Sequence, residues 1–155
     1  MQRGQSSIRR NKASRRYPSR PFLGVGALIF RGKRILVIER GGAPLRGYWS
    51  LPGGIVETGE TLAEAVRREV REETGLEVRP ERIAAVFERI MPDARGRVEY
   101  HYVLVDYVCR VVGGVLQPAD DCAGAAWVTR KELATYTLTE GTREVIERAW
   151  RNRNK

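Results

Sequence analysis

The sequence predicts an α/β fold, with strands on both sides of one strongly capped helix and a second amphipathic helix closing the chain. Three observations carry this. Two apolar runs flank the short turn "RGK", residues Thr61 to Thr74 have helix signals at both ends, and "VEYHYVLVDYVCRVV" is a long, largely apolar strand pattern. At 155 residues the chain is one domain by length and can bury a real core. We place that domain at residues 22–155, after a basic tail at residues 1–21.

Each element follows in order. "GVGALIF" and "RILVIER" read as a β-hairpin, with Gly32 supplying the turn. "GGAPLRGYW" is a Gly/Pro loop, and "SLPGGIVE" a short strand interrupted by Pro52, Gly53 and Gly54. Thr61 and Glu64 form a capping box, and Gly75 sits where a left-handed C-cap belongs. "AAVFERI" and "VEYHYVLVDYVCRVV" are strands joined by the polar "MPDARGR". Imperfect alternation in the second suits a strand covered on both faces. "GGVLQPADDCAG" is a loop, "AAWV" a short strand, and Thr129 with Glu132 caps another helical turn. Val145, Ile146, Ala149 and Trp150 then mark the closing amphipathic helix.

With 42% hydrophobic and 30% charged residues the composition is that of a soluble globular protein. The longest apolar run, "FLGVGALIF", is too short to span a bilayer and lacks an A-x-A-like cleavage site, so neither a membrane span nor a secretory signal is expected. The formal charge of +9 is concentrated in Arg3, Arg9, Arg10, Lys12, Arg15, Arg16 and Arg20. Taking these seven from the 28 Lys and Arg leaves 21 bases against 19 acids, so the remainder is near neutral. Rich in Arg and Ser with little to bury, the tail is expected to be disordered. It suits an incidental solvated arm, a weak nucleic-acid contact or an organelle transit peptide, the first being preferred. Cys109 and Cys122 have no C-x-x-C spacing and His101 is the one histidine, which gives little support to a zinc site or disulfide framework. Two reduced thiols in a cytoplasmic protein is the expectation.

The 61–74 helix has an unusual face. On a wheel of about 100° per residue with Leu62 at zero, Ala65 and Val66 define the inward stripe. Glu69 and Glu73 fall within roughly 20° of its middle, and Glu72 borders it at about 80°. Arg68 can neutralise Glu72 at i,i+4. It serves Glu69 and Glu73 less well, because partly buried carboxylates repel one another and resist desolvation. A divalent cation answers both difficulties, carboxylate oxygen being the hard ligand that Mg²⁺ or Mn²⁺ prefers. An ion-pair network is the competing reading. Gly53 and Gly54 let the backbone approach a ligand closely.

Gly54, five residues, Glu60, seven residues, Arg68-Glu69-Val70, one residue, Glu72-Glu73, one residue and Gly75-Leu76 together resemble a complete Nudix box. "YWSLPGG" and "AAWV" also resemble that hydrolase family, so the likeness covers roughly residues 22 to 150. It implies an α/β/α sandwich around a mixed β-sheet and Mg²⁺- or Mn²⁺-dependent hydrolysis of a nucleoside diphosphate linked to another group. Carried over by position, Glu69, Glu72, Glu73 and the Gly54 carbonyl are metal ligands. Arg68 orients Glu69, and Glu60 anchors the loop to the helix. A carboxylate accepts the proton of the attacking water, either a box glutamate or a loop acid. Asp121 is the first loop candidate and Asp120 the second.

Pro92, 16 residues after Leu76, resembles the marker of the ADP-ribose pyrophosphatase subgroup, although a proline in "MPDARG" is also an ordinary turn former. ADP-ribose, giving AMP and ribose 5-phosphate, is the expected substrate. Trp49, Tyr48, Phe22 and Tyr102 are candidate adenine platforms, and Arg46, Arg95 and Arg97 candidate phosphate ligands. Rivals are a pyrophosphohydrolase of (oxidised) nucleoside triphosphates, dinucleoside polyphosphates or capped RNA, and a non-catalytic nucleotide-binding regulator. The intact carboxylates argue against the last. A homodimer is an allowed state.

Overall fold

The computed structural model describes residues 14–153. Strands β1 (Phe22–Arg31) and β2 (Arg34–Arg40) form the expected hairpin, with Gly32 at φ 57° in its turn. β1 is central: it pairs antiparallel with β2 and with β4 (Gly53–Ile55), and parallel with β6 (Val98–Gly114). β5 (Leu76–Pro92) pairs antiparallel with β6, while β3 (Trp49–Ser50) and β7 (Cys122–Thr129) pair with β2. The sheet is therefore mixed.

Helices cover both of its faces. β1 turns Val25, Ala27 and Ile29 toward α1 (Leu62–Thr74), where they meet Ala65, Val66 and Val70. Its Leu28 faces the other way, with Val145, Ile146 and Ala149 of α3 (Thr142–Arg153) and Leu133 of the short α2 (Arg130–Leu133). This double burial is why β1 reads as a continuous apolar run. α1 begins at the Thr61–Glu64 capping box, with reciprocal bonds of 2.7 and 3.1 Å, and ends at Gly75, φ 74°.

The structure lengthens two elements and divides a third. β5 starts at Leu76, well before "AAVFERI", with irregularities from Glu77 to Ala85. Pro80 and the charged residues around it hide this strand in the sequence, since a proline cannot donate to the ladder and a bulge must absorb it. β7 begins at Cys122 rather than Ala125, and "SLPGGIVE" divides into β3 and β4, which pair with different strands. No helix among the described residues is long and apolar enough to cross a membrane. Cys109 and Cys122 are buried free thiols, pushed up by burial to about 12 and about 11.

Within the predicted tail, residues 1–13 lie outside the described residues, but residues 14–21 depart from expectation. The Tyr17 N–H donates to the Glu99 carbonyl (2.8 Å) and its hydroxyl to Asp93 (2.9 Å). Arg16 binds Glu99 at 2.9 Å. Two acids at the β5–β6 hairpin tip, Asp93 and Glu99, give Arg16 and Tyr17 a docking place that the composition of this stretch does not reveal.

Candidate active site

Capping and burial aim the acidic face of α1 at β4. Arg68, with 15% of its side chain exposed, uses all five of its N–H groups there. It forks onto Glu60 at 2.6 and 2.8 Å, reaches Glu69 at 2.7 Å and Glu72 at 3.2 Å, and donates to the Ile55 carbonyl at 3.0 Å. Glu60 also accepts from the Glu57 N–H at 2.9 Å, tying the loop to the helix. Arg68's own pKa is raised, chiefly by its hydrogen bonds to Glu60. Glu73 is buried and accepts the Gly53 N–H at 2.7 Å. Burial pushes its carboxyl up to about 8, with the Glu69 and Asp120 charges adding to the rise and the Gly53 bond opposing it.

Two glycines make this seat. A Cβ on Gly54 would run into the Glu69 carboxylate, and one on Gly53 into the Val25 carbonyl. The Val25–Gly54 pair is flanked by bonds from Ala27 N to Pro52 O and from Val56 N to Leu23 O. That alternation turns the Gly54 peptide groups toward β1 and leaves those of Gly53 on the edge facing α1. Gly53→Ala therefore sets a side chain against main-chain atoms that cannot move aside. It is expected to destabilise the fold by about 3 kcal/mol, read as a lowered urea midpoint.

Among the described residues no three acids converge as a preformed metal cluster. Glu69 and Glu72 are drawn to Arg68, while Glu73 is held by Gly53. The donor set nevertheless fits a hard divalent cation. Glu69 packs on Gly54 and Glu73 on Gly53, its neighbour in β4, and a cation there would offset the burial that raises the Glu73 carboxyl.

Gly53 and Gly54 also line a cleft that runs between β1, β4 and β6 to the start of α3. Tyr102, one of the candidate platforms, lies in it together with Phe87, Arg40, Arg89 and Asp106, which the sequence reading missed. Asp106 is buried, its carboxyl pushed up by desolvation to about 6 against the pull of Arg89. The available signal was a lone acid inside the apolar run "VLVDYV". Arg40 and Arg89 are both lowered by burial.

Several expected ligands lie elsewhere. Trp49 packs edge-on against Tyr136 at 4.9 Å in the α3-side core, because its β3 main chain is bonded to Thr137 and Thr139. Arg97 binds Asp93 at 3.0 Å and covers the Tyr17 ring at 4.8 Å. Pro92 ends β5 opposite Val98, and Arg46 is exposed in the loop before β3; neither lines the cleft. Asp121 is exposed, with its carbonyl accepting from Gly41, whereas it is the Asp120 charge that reaches Glu73.

The NUDIX domain model matches residues 20–149. An ADP-ribose pyrophosphatase of Methanocaldococcus jannaschii is 36% identical over 113 residues, 73% of this chain and 64% of that protein. A human 8-oxo-dGDP phosphatase is 33% identical over 132 residues, 83% of this chain and 38% of that protein. The chain thus spans less than two thirds of the length of either relative. Among solved structures, an ADP-ribose pyrophosphatase from Streptococcus suis superposes with a TM-score of 0.68 at 26% identity, covering 88% of this chain and 94% of that one. A hydrolase from Nitrosomonas europaea reaches 0.73 at 23% identity, covering 86% and 90%, and supports the fold alone.

Proposed function

Because the chain belongs to the NUDIX family, we propose that it is a pyrophosphohydrolase of nucleotide derivatives and that its substrate is ADP-ribose, cleaved to AMP and ribose 5-phosphate. One observation carries the reading: the glycines that seat Glu69 and Glu73 are also a wall of the cleft. A pyrophosphate held in the cleft therefore lies beside the carboxylates. The ADP-ribose assignment draws on the archaeal relative and on Tyr102 and Phe87 as apolar surfaces for a base. Pro92 does not contribute, since it stands outside the cleft.

Glu69, Glu72 and Glu73 would hold the divalent cation, magnesium in preference to manganese, with the Gly53 carbonyl replacing that of Gly54 as the main-chain donor. When bound, such a cation neutralises phosphoryl oxygens and makes water a better nucleophile. The chain's own residues do the rest. Arg68 keeps Glu69 and Glu72 oriented, and the Gly53 N–H fixes Glu73. Arg40 and Arg89 offer guanidinium groups to phosphate in a cleft partly shielded from water. Glu72, 37% exposed, and Asp120, whose charge reaches Glu73, are water-accessible carboxylates that can take a proton from the nucleophile.

The test is turnover with Mg²⁺ on ADP-ribose, 8-oxo-dGDP, a nucleoside triphosphate and a dinucleoside tetraphosphate. ADP-ribose is expected to give the highest kcat/KM, by about tenfold or more. Preference for 8-oxo-dGDP would retain the site and replace the substrate. Absence of turnover on all four would overturn the enzymatic reading.

A further inference from the structure

The cleft holds an arginine that lies outside the matched domain. Arg15, five residues before the start of the NUDIX match, lines the same cleft as Arg40, Arg89, Gly53 and Gly54. It is delivered by the docked stretch, which is tied down on its C-terminal side by Arg16 and Tyr17 and braced by Arg97 over the Tyr17 ring. Among the described residues none of the three cleft arginines forms an ion pair. Arg40 donates to the Pro44 carbonyl and Arg89 to the Glu140 carbonyl, while Arg89 Nε is buried without a partner. Asp106 is the one carboxylate lining the cleft. Burial lowers Arg40 and Arg89; Arg15 adds a small part to the lowering of Arg40 against the larger opposing pull of Glu73, and Arg40 adds to that of Arg89 against Asp106 and Glu140. Like charges gathered with neutral partners and one unused buried donor call for an anion.

We propose that Arg15 is a substrate-binding residue, brought to the cleft by the N-terminal arm to complete with Arg40 and Arg89 a cradle for the phosphates of a nucleoside diphosphate. The arm is then part of the active site, and residues 15–17 set affinity without belonging to the carboxylate motif. Arg15 supplies charge and hydrogen bonds to the bound phosphates, while Tyr17 is a positioning residue that keeps the arm on the hairpin. The proposal rests on the nucleotide reading above but depends on neither the cation nor turnover.

The experiment is calorimetric titration of the full chain with ADP and, separately, adenosine, in buffer containing chelator. A charge-assisted contact predicts that Arg15→Ala weakens ADP binding about tenfold or more and leaves adenosine unchanged. Tyr17→Ala is expected to reproduce part of the ADP loss with Arg15 intact. Arg20→Ala removes the same charge from an exposed position of the arm and is expected to change neither ligand. Unaltered ADP affinity in Arg15→Ala, equal losses for adenosine, or an equal loss in Arg20→Ala would each overturn the proposal while leaving the nucleotide reading in place. A wild-type protein that binds no ADP would overturn both.

Discussion

Glu73→Gln is expected to lower turnover by about 10³-fold or more while leaving the fold intact. Glutamine keeps an oxygen to accept the Gly53 N–H, the 2.7 Å bond that positions this side chain, but it carries no charge for a cation. The same substitution has a stability signature whose sign follows from burial. Glu73 is pushed up from 4.5 to about 8, and Asp106 from 3.8 to about 6, so the folded state retains protons that the unfolded chain has already released. Stability from these groups is full below their unfolded values and is lost as pH rises, through about 6 for Asp106 and about 8 for Glu73. Thermal midpoints of the metal-free protein are therefore expected to fall between pH 5 and pH 8. Glu73→Gln flattens the upper part of that fall. Mg²⁺ is expected to raise the wild-type midpoint more at pH 8 than at pH 5, because binding must displace the proton. Turnover in the variant within about threefold of wild type would remove Glu73 from the metal set.

Arg68→Ala is expected to be the most damaging substitution for stability. The side chain answers Glu60, Glu69 and Glu72 together, in a setting where its exposure is 15%, and removing it leaves these carboxylates without their shared cation. Breaking such a pair costs about 3–5 kcal/mol. Turnover is expected to fall by about 10²-fold as Glu69 and Glu72 lose their orientation. Arg68→Lys restores the charge but cannot fork onto Glu60 while reaching Glu69 and Ile55, so it recovers stability only in part. Combining Arg68→Ala with Glu60→Gln should cost less than the sum of the two changes, since both remove the same Glu60–Arg68 contact. Denaturant unfolding of the four proteins in the cycle measures this. Strict additivity would show that Glu60 and Arg68 do not act as a unit.

Local rules acting within a few residues were legible before the fold. Thr61, Glu64 and Gly75 specify the ends of α1 through bonds that span at most four positions. The wheel phase of Glu69 and Glu73 follows from helix geometry, and both carboxylates lie on the inner side. Hidden elements were those whose pairing compensates for poor local chemistry. Leu76 to Arg82 is a strand because β6 lies beside it, despite Pro80 and its charged neighbours.

By itself, then, the sequence determined the capped helix, the glycine pair before it and the carboxylates that a cation requires. Spacing along one helix is set by covalent connectivity and its 3.6-residue turn. Only the tertiary structure decided what faces those carboxylates. Arg15, Arg40, Arg89, Tyr102 and Asp106 come from the arm and from β2, β5 and β6, far apart in the chain, and they meet because the sheet order places their strands around one cleft. The same long-range pairing gave Trp49 to the core and Arg97 to the arm. A side chain's neighbours across a sheet depend on register and crossover, and no short stretch of sequence contains that information.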